Sequence, residues 1–112
     1  MNNRAKACDI PISVKRAVWE RDGHRCIVCG SYRGAFPNAH YIRRSRGGLG
    51  VEQNIVTLCG PNGNNCHRRY DEGTADEQHY YKEVIKKYLM KQYPGWDEKK
   101  LIFKKRGRPK SA

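Results

Sequence analysis

Residues 26–67 decide the fold, and they read CIVCGSYRGAFPNAHYIRRSRGGLGVEQNIVTLCGPNGNNCH. The stretch opens with Cys26 and Cys29 and closes on Cys59 and Cys66. Two thiolates separated by two residues can point at one ion, and four thiolates make the closed tetrahedral site typical of structural zinc. The second pair is more widely spaced, with six intervening residues. The four cysteines together predict a zinc-stapled domain.

An alternative ligand set has His67 as the fourth donor and Cys59 as a buried apolar residue. Cys8 lies outside either set and is expected to be a free thiol. A disulfide framework fits less well, because five cysteines leave one over and the N-terminal residues carry no apolar signal sequence. We therefore expect a metal-binding protein of the reducing cytoplasm.

The composition points to a small domain with a polyanionic partner. The chain has 112 residues, and only 38% of them are hydrophobic. Chains this short bury a modest fraction of their surface, so a bound metal commonly supplies the missing stability. The formal net charge is +12, and basic side chains displace the counterions condensed on phosphates. DNA, RNA and anionic lipid would all be attracted, but no run approaches the roughly 18 to 20 apolar residues of a membrane span.

The chain divides into three parts. Residues 1–12 form a basic leader that we expect to be irregular, residues 13–95 form the domain, and residues 96–112 form a basic tail that we expect to be flexible. Within the domain, Ser13 can cap a helix that runs to about Asp22.

A hairpin and two further helices are predicted after the first cysteine pair. Two extended stretches, 39–42 and 54–58, are joined by a loop at 43–53. The glycines of that loop allow unusual backbone conformations and close approach to a ligand; they are Gly47, Gly48 and Gly50. One helix should start near Cys66.

The other helix is predicted from Thr74 to Met90. Thr74 and Glu77 fit a capping box. Apolar side chains recur on one face at Val84, Ile85, Tyr88 and Leu89. The sequence thus indicates an α+β domain in which helices flank a hairpin.

Three further sequence features carry a family resemblance: the run His40-Tyr41-Ile42-Arg43-Arg44-Ser45, then Asn54, then His67 directly after Cys66. With the cysteine pairs around them, residues from about 10 to 75 resemble the H-N-H endonuclease family. They are especially similar to the small members encoded by bacteriophages and prophages. The resemblance implies a zinc-stabilised ββα-metal, or His-Me finger, domain with flanking helices, in a bacterial or phage-infected host cell.

The resemblance also implies roles for individual residues. His40 would be the general base, which suits a side chain whose pKa lies near neutrality. Asn54 would bridge backbone groups of the hairpin and orient His40. His67 would bind a catalytic Mg²⁺, Mn²⁺ or similar ion. Asp71 lies one helical turn beyond His67 on the same face, so the two could hold one ion together. The products would carry 5′-phosphate and 3′-hydroxyl ends.

Basic residues at two places are candidates for contacts with nucleic acid. Arg43, Arg44 and Arg46 could clamp phosphates, although a solvated run of charges is the alternative. In the tail, residues 105–110 resemble an AT-hook built on Arg106, Gly107, Arg108 and Pro109. An extended Arg-Gly-Arg-Pro core suits the narrow minor groove of DNA. The alternative is a generic basic arm.

The combined features predict a metal-dependent DNA endonuclease that hydrolyses phosphodiester bonds. The family commonly has an acid or histidine before the first histidine, where this chain has Ala39. The alternative function is therefore a catalytically inactive, zinc-stabilised DNA-binding module. A third candidate is a packaging subunit that cuts only beside a phage terminase.

Overall fold

The computed structural model describes residues 3–104, and their fold is α+β, as the sequence predicts. The α-helices are α1 Asn3–Cys8, α2 Ile12–Arg21, α3 Cys66–Glu72 and α4 Ala75–Gln92, and the strands are β1 Ala35–His40 and β2 Ile55–Cys59. Short 3-10 turns occupy Arg44–Arg46, Glu52–Asn54 and Glu98–Leu101. None of the helices in this part of the chain is both long and apolar enough to cross a membrane. The AT-hook-like residues Arg106 to Pro109 lie outside the described residues.

The two strands form the predicted antiparallel hairpin. His40 pairs with Ile55 at the loop end, and Ala35 pairs with Cys59 at the opposite end. β1 begins four residues before the predicted residue 39, and its pairing is irregular between Phe36 and Ala39. Every residue of β2 is buried, so this strand forms the centre of the core. The hairpin therefore places His40 and Cys59 at opposite ends of one sheet.

The long helix α4 begins with the predicted capping box. The Glu77 amide donates to Thr74 Oγ1 at 3.1 Å, and the Thr74 amide donates to Glu77 Oε1 at 2.9 Å. Of the predicted apolar stripe, Ile85 and Leu89 are fully buried. Tyr81, which the stripe did not include, is also buried one turn earlier. α4 thus covers the core from one side.

The predicted start of α2 is wrong by a small shift. Ser13 lies inside the helix, and Pro11 occupies the N-cap position without any side-chain hydrogen bond. Pro11 has a φ of −63° and a β-region ψ of 154°, which lets the chain enter the helix from an extended segment. The predicted end is confirmed, because Asp22 is the C-cap residue and Gly23 adopts a left-handed φ of +67°.

A buried ion pair at the end of α2 fastens this helix to the sheet and to α4. Arg21 Nε lies 2.7 Å from Asp22 Oδ1, and the Asp22 side chain is wholly buried. The carboxylate accepts from the Thr57 amide at 2.8 Å and from the Tyr88 hydroxyl at 2.5 Å. Arg21 also donates to the Ile55 carbonyl at 2.7 Å. The pair is thereby satisfied on both sides, as a buried charge requires.

The leader expected to be irregular contains a helix, α1. Its Cys8 side chain is buried, and the Ala7 carbonyl accepts from the Gly50 amide at 3.0 Å. Arg4 donates to the Ser45 carbonyl at 2.7 Å. A helix of six residues is unstable by itself, so these contacts with the loop after β1 explain why it forms.

Residues 101–103, which the sequence assigns to the basic tail, contact the domain. Leu101 is buried, and Ile102 forms an isolated bridge with Gly48. The Phe103 amide donates to the Gly47 carbonyl at 2.7 Å. A single buried leucine and backbone pairing hold this segment to the domain, although its composition is highly charged.

Candidate functional site

The four cysteines converge on one point, as the sequence predicts. The sulfur atoms of Cys26, Cys29, Cys59 and Cys66 all lie within 4.8 Å of one another. Zinc bound to four thiolates at about 2.3 Å would set neighbouring sulfurs about 3.8 Å apart. The sulfurs of Cys29 and Cys59 are 3.6 Å apart, so the donor set fits such an ion. The cluster contains Cys59 and not His67, in agreement with the four-cysteine set.

Hydrogen bonds reach two of the sulfur atoms, although burial raises the pKa of the Cys26 and Cys66 thiols, so a bound cation would have to favour their thiolate forms. The Asn64 amide donates to Cys59 Sγ at 3.2 Å. The Tyr81 hydroxyl, on α4, donates to Cys66 Sγ at 3.4 Å. Donors to ligand atoms orient the ligands and tune their affinity for metal. Sequence analysis missed Tyr81, whose only signal is its place one turn before Ile85 on the buried face of α4.

A cleft at the other end of the hairpin brings together most of the predicted catalytic residues. Its volume is about 240 Å³. The lining consists of His40, Arg43, Arg44, Ser45, His67 and Asp71. His40 ends β1, whereas the second histidine and the aspartate lie on α3. Two histidines from separate elements therefore face one cleft.

His40 is held by the end of α1. Its Nε2 lies 2.9 Å from the carbonyl oxygen of Cys8. Because a carbonyl can only accept, Nε2 carries the proton, and the neutral ring keeps its lone pair on Nδ1. Burial lowers the pKa of His40 below its ordinary value, so the ring is neutral at pH 7. The Cys8 backbone is thus part of the site that sequence analysis missed.

His67 and Asp71 share one face of α3, as their spacing predicts. Nε2 of His67 lies 3.1 Å from Oδ2 of Asp71. This is the distance of an ion pair or hydrogen bond between the two side chains. It is also close to the separation of about 3.0 Å between adjacent ligands at about 2.1 Å in an octahedral shell. They supply two donors, and within residues 3–104 the four cysteines are the cluster that brings three or more donors to one point.

Asn54 lies in the core and bonds backbone groups of the loop that follows His40. Its Oδ1 accepts from the Ile42 amide at 2.8 Å, and its Nδ2 donates to the Leu49 carbonyl at 2.8 Å. Its own carbonyl accepts from the Tyr41 amide at 2.7 Å. These contacts fix the chain directly after His40, which is the bridging geometry expected of this residue.

The three arginines expected to clamp phosphates differ in their surroundings. Arg43 donates to the Tyr70 carbonyl at 3.1 Å and extends over the Tyr70 ring. Arg44 forms an ion pair with Asp9 at 2.5 Å, so part of its charge is already neutralised. Arg46 lines a different, larger groove. Of the two arginines that line the cleft, Arg43 therefore has no carboxylate partner among the described residues.

Close approach of the chain to itself accounts for two glycines of the glycine-rich loop. A Cβ on Gly48 would lie 1.7 Å from the Ile42 carbonyl oxygen. A Cβ on Gly50 would lie 1.9 Å from the Asp9 carbonyl oxygen. Both distances exclude any side chain. These glycines let α1 and the end of β1 pack against the loop beside the cleft.

Comparisons of the chain with models of protein families, with curated proteins and with solved structures find no match.

Proposed function

We propose that this protein is a metal-dependent endonuclease of the H-N-H type that hydrolyses phosphodiester bonds in DNA. The observation that carries the proposal is the convergence of His40, His67 and Asp71 on one cleft. A hairpin followed by a helix, with histidines from strand and helix facing each other, agrees with a ββα-metal core. The net charge of +12 agrees with a phosphate-rich substrate.

In this proposal His40 accepts the proton of the attacking water at Nδ1. The Cys8 carbonyl fixes the opposite nitrogen and so orients the ring. Water attacks the phosphorus atom, the bond from phosphorus to the 3′-oxygen breaks, and that oxygen leaves as a hydroxyl after taking a proton from a solvent water molecule, while His40 later releases its own proton to solvent. A neutral imidazole is the protonation state that general-base catalysis needs.

The residues His67 and Asp71 would hold Mg²⁺ or Mn²⁺, with water and substrate phosphate completing the shell. An ion bound there would polarise the scissile phosphate and stabilise the leaving oxygen. Arg43, at the edge of the cleft, would neutralise a phosphate oxygen. The cysteine cluster shares no residue with the cleft, and a zinc ion bound to it would stabilise the fold and the start of α3, which carries His67.

A supercoiled-plasmid assay with zinc-loaded protein and added Mg²⁺, Mn²⁺ or Ni²⁺ tests the proposal. Nicked or linear DNA should appear with wild-type protein and be lost in His40→Ala. His24→Ala is the matched control, because His24 is an exposed histidine that pairs with Glu20 and stacks on Trp19. A brief chelator pulse should stop cleavage, and fresh Mg²⁺ should restore it. Cleavage that survives in His40→Ala would refute the assigned base.

One observation favours the alternative of a DNA-binding module without catalysis. Ala39, which stands where the family commonly has a metal ligand, is fully buried in the core cluster. His67 and Asp71 are then the only proposed protein ligands. Gel shifts of DNA with no cleavage under any of the three metals would support this alternative and reject the nuclease.

A further inference from the structure

A second groove adjoins the proposed catalytic cleft, and the two share Arg43. The groove has a volume of about 570 Å³, more than twice that of the cleft. It runs between the loop after β1, the end of α3 and the first half of α4. Its polar and aromatic lining includes Arg43, Arg46, Tyr70, Gln78, His79 and Lys82.

The groove is cationic because its acidic lining residue has a basic neighbour, whereas two of its basic lining residues form no ion pair with an acid among the described residues. Glu98, its acidic lining residue, accepts from the Tyr41 hydroxyl at 3.1 Å and lies 3.8 Å from the Lys86 ammonium. Arg46 and Lys82 line the groove, and neither takes part in an ion pair within residues 3–104. Two exposed cations on opposite walls of a groove create a positive potential that concentrates anions.

Arg43 connects this groove to the cleft. Its guanidinium is anchored at the Tyr70 carbonyl, 3.1 Å away, and lies over the Tyr70 ring. An arginine fixed in this way can contact a phosphate with little further loss of side-chain entropy. A polyanionic strand that enters the cleft can therefore continue past Arg43 into the groove without crossing an uncompensated acid.

We propose that the groove binds the sugar–phosphate backbone of the DNA strand next to the cleavage site, with Arg46 and Lys82 as its phosphate contacts. This inference rests on the proposed function, because it assigns the path of that substrate. Lys82 lies on α4, outside the segment that resembles the endonuclease family. The resemblance therefore assigns it no role.

Binding measurements with charge-matched variants test the groove. The variants Arg46→Ala and Lys82→Ala each remove one exposed cation from its walls. Lys87→Ala and Lys91→Ala remove the same charge from exposed positions of α4 that do not line the groove. Affinity for a short fluorescent duplex DNA is measured without added Mg²⁺ between about 50 and 200 mM salt.

Each groove variant should weaken binding about five- to tenfold and reduce the slope of log K against log salt by about 0.9. Each control should change affinity less than about twofold, and melting temperatures should be equal. Equal losses in groove and control variants would overturn the proposal, because binding would then follow charge alone. Tighter binding of duplex RNA than of DNA would also overturn it.

The binding experiment stands apart from catalysis. If plasmid is never cut, but Arg46→Ala and Lys82→Ala bind DNA more weakly than the control variants, the groove proposal stands and the nuclease proposal fails. If plasmid is cut and the groove variants bind like the controls, the nuclease holds and the groove proposal fails.

Discussion

The Nε2 atom of His40 lies 2.9 Å from the carbonyl oxygen of Cys8, the last residue of α1. The last four carbonyls of an α-helix have no partner within the helix. One of these free acceptors therefore fixes the ring of the proposed base. The N-terminal helix contacts the site through its backbone. The sequence of its side chains therefore gives no sign of this contact.

Deletion of residues 1–9 should slow plasmid cleavage about 10- to 100-fold, because misorientation of a catalytic group by about 1 Å can cost that much. Bound zinc should stay constant, since no cysteine of the cluster is removed. Lys6→Ala is the control, because it removes the same net charge as the deletion, which takes away Arg4, Lys6 and Asp9. Cleavage rates at saturating DNA are compared. A deletion variant as fast as Lys6→Ala would show that α1 does not position His40.

As the pH is lowered, the cleavage rate should fall to half its maximum at a pH below about 6.5, the ordinary pKa of histidine. Burial lowers the pKa of His40, and Arg44 and His67 lower it further, while the Cys8 carbonyl and Asp71 act in the opposite direction. Protonation inactivates a general base, so a lowered pKa preserves activity into mild acid. Rates measured from pH 5 to 8 and the NMR titration of the His40 ring check this. A midpoint at or above 6.5 in both measurements would contradict it.

The same lowered pKa has a consequence for folding. The unfolded chain binds a proton at this histidine before the folded protein does, so stability falls as pH drops from about 6.5 through the folded pKa. In His40→Gln this component of the acid destabilisation should be absent.

Asp22→Asn should destabilise the protein by about 3 to 5 kcal/mol, because it leaves the Arg21 charge buried without its counter-charge. The Tyr88 hydroxyl bond to Asp22 would weaken at the same time. Glu20→Gln, an exposed acid two residues earlier, should change stability by less than about 1 kcal/mol. Urea unfolding of both variants provides the comparison. Equal midpoints would mean that the buried pair contributes no more than a surface pair.

Tyr81→Phe should weaken zinc binding about 10- to 100-fold, since it removes the hydroxyl that donates to Cys66 Sγ. Tyr80→Phe is the matched control, because the neighbouring tyrosine is 57% exposed. Affinity is measured by competition with a chromophoric chelator, and the thiolate absorption of the Co²⁺-substituted protein reports on Cys66. Identical affinities for the two variants would rule out the hydroxyl as a support of the site.

Local chemistry explains what the sequence could predict. The capping box of Thr74 and Glu77 is contained within four residues, and it fixed the start of α4 correctly. The cysteine cluster could be predicted because four cysteine sulfurs can together form one zinc site, whatever their separation in the chain. The expectation that His40 and His67 share a site rested on the family resemblance and not on any local pattern, and both residues line one cleft.

Features that depend on tertiary contacts could not be predicted from the sequence. The segment α1 has too few apolar residues to signal a helix, and its stability comes from the loop around Gly50. Arg21 and Asp22 look like surface charges, because neighbouring ions of opposite sign are ordinary at the end of a helix. Leu101 is one leucine in a lysine-rich stretch, and only its neighbours in space bury it.

The bridge between Gly48 and Ile102, with the bond from Gly50 to Ala7, sets an order of events in folding. The loop beside the cleft takes its shape from segments near both ends of the chain. During synthesis Ile102 follows Cys66, the last cysteine of the cluster, so the bridge to Gly48 can form only after all four cysteines have been made. We expect a chain still emerging from the ribosome to gather its cysteines before it can order His40. The proposed site would then be completed only after residues 101–103 have left the ribosome.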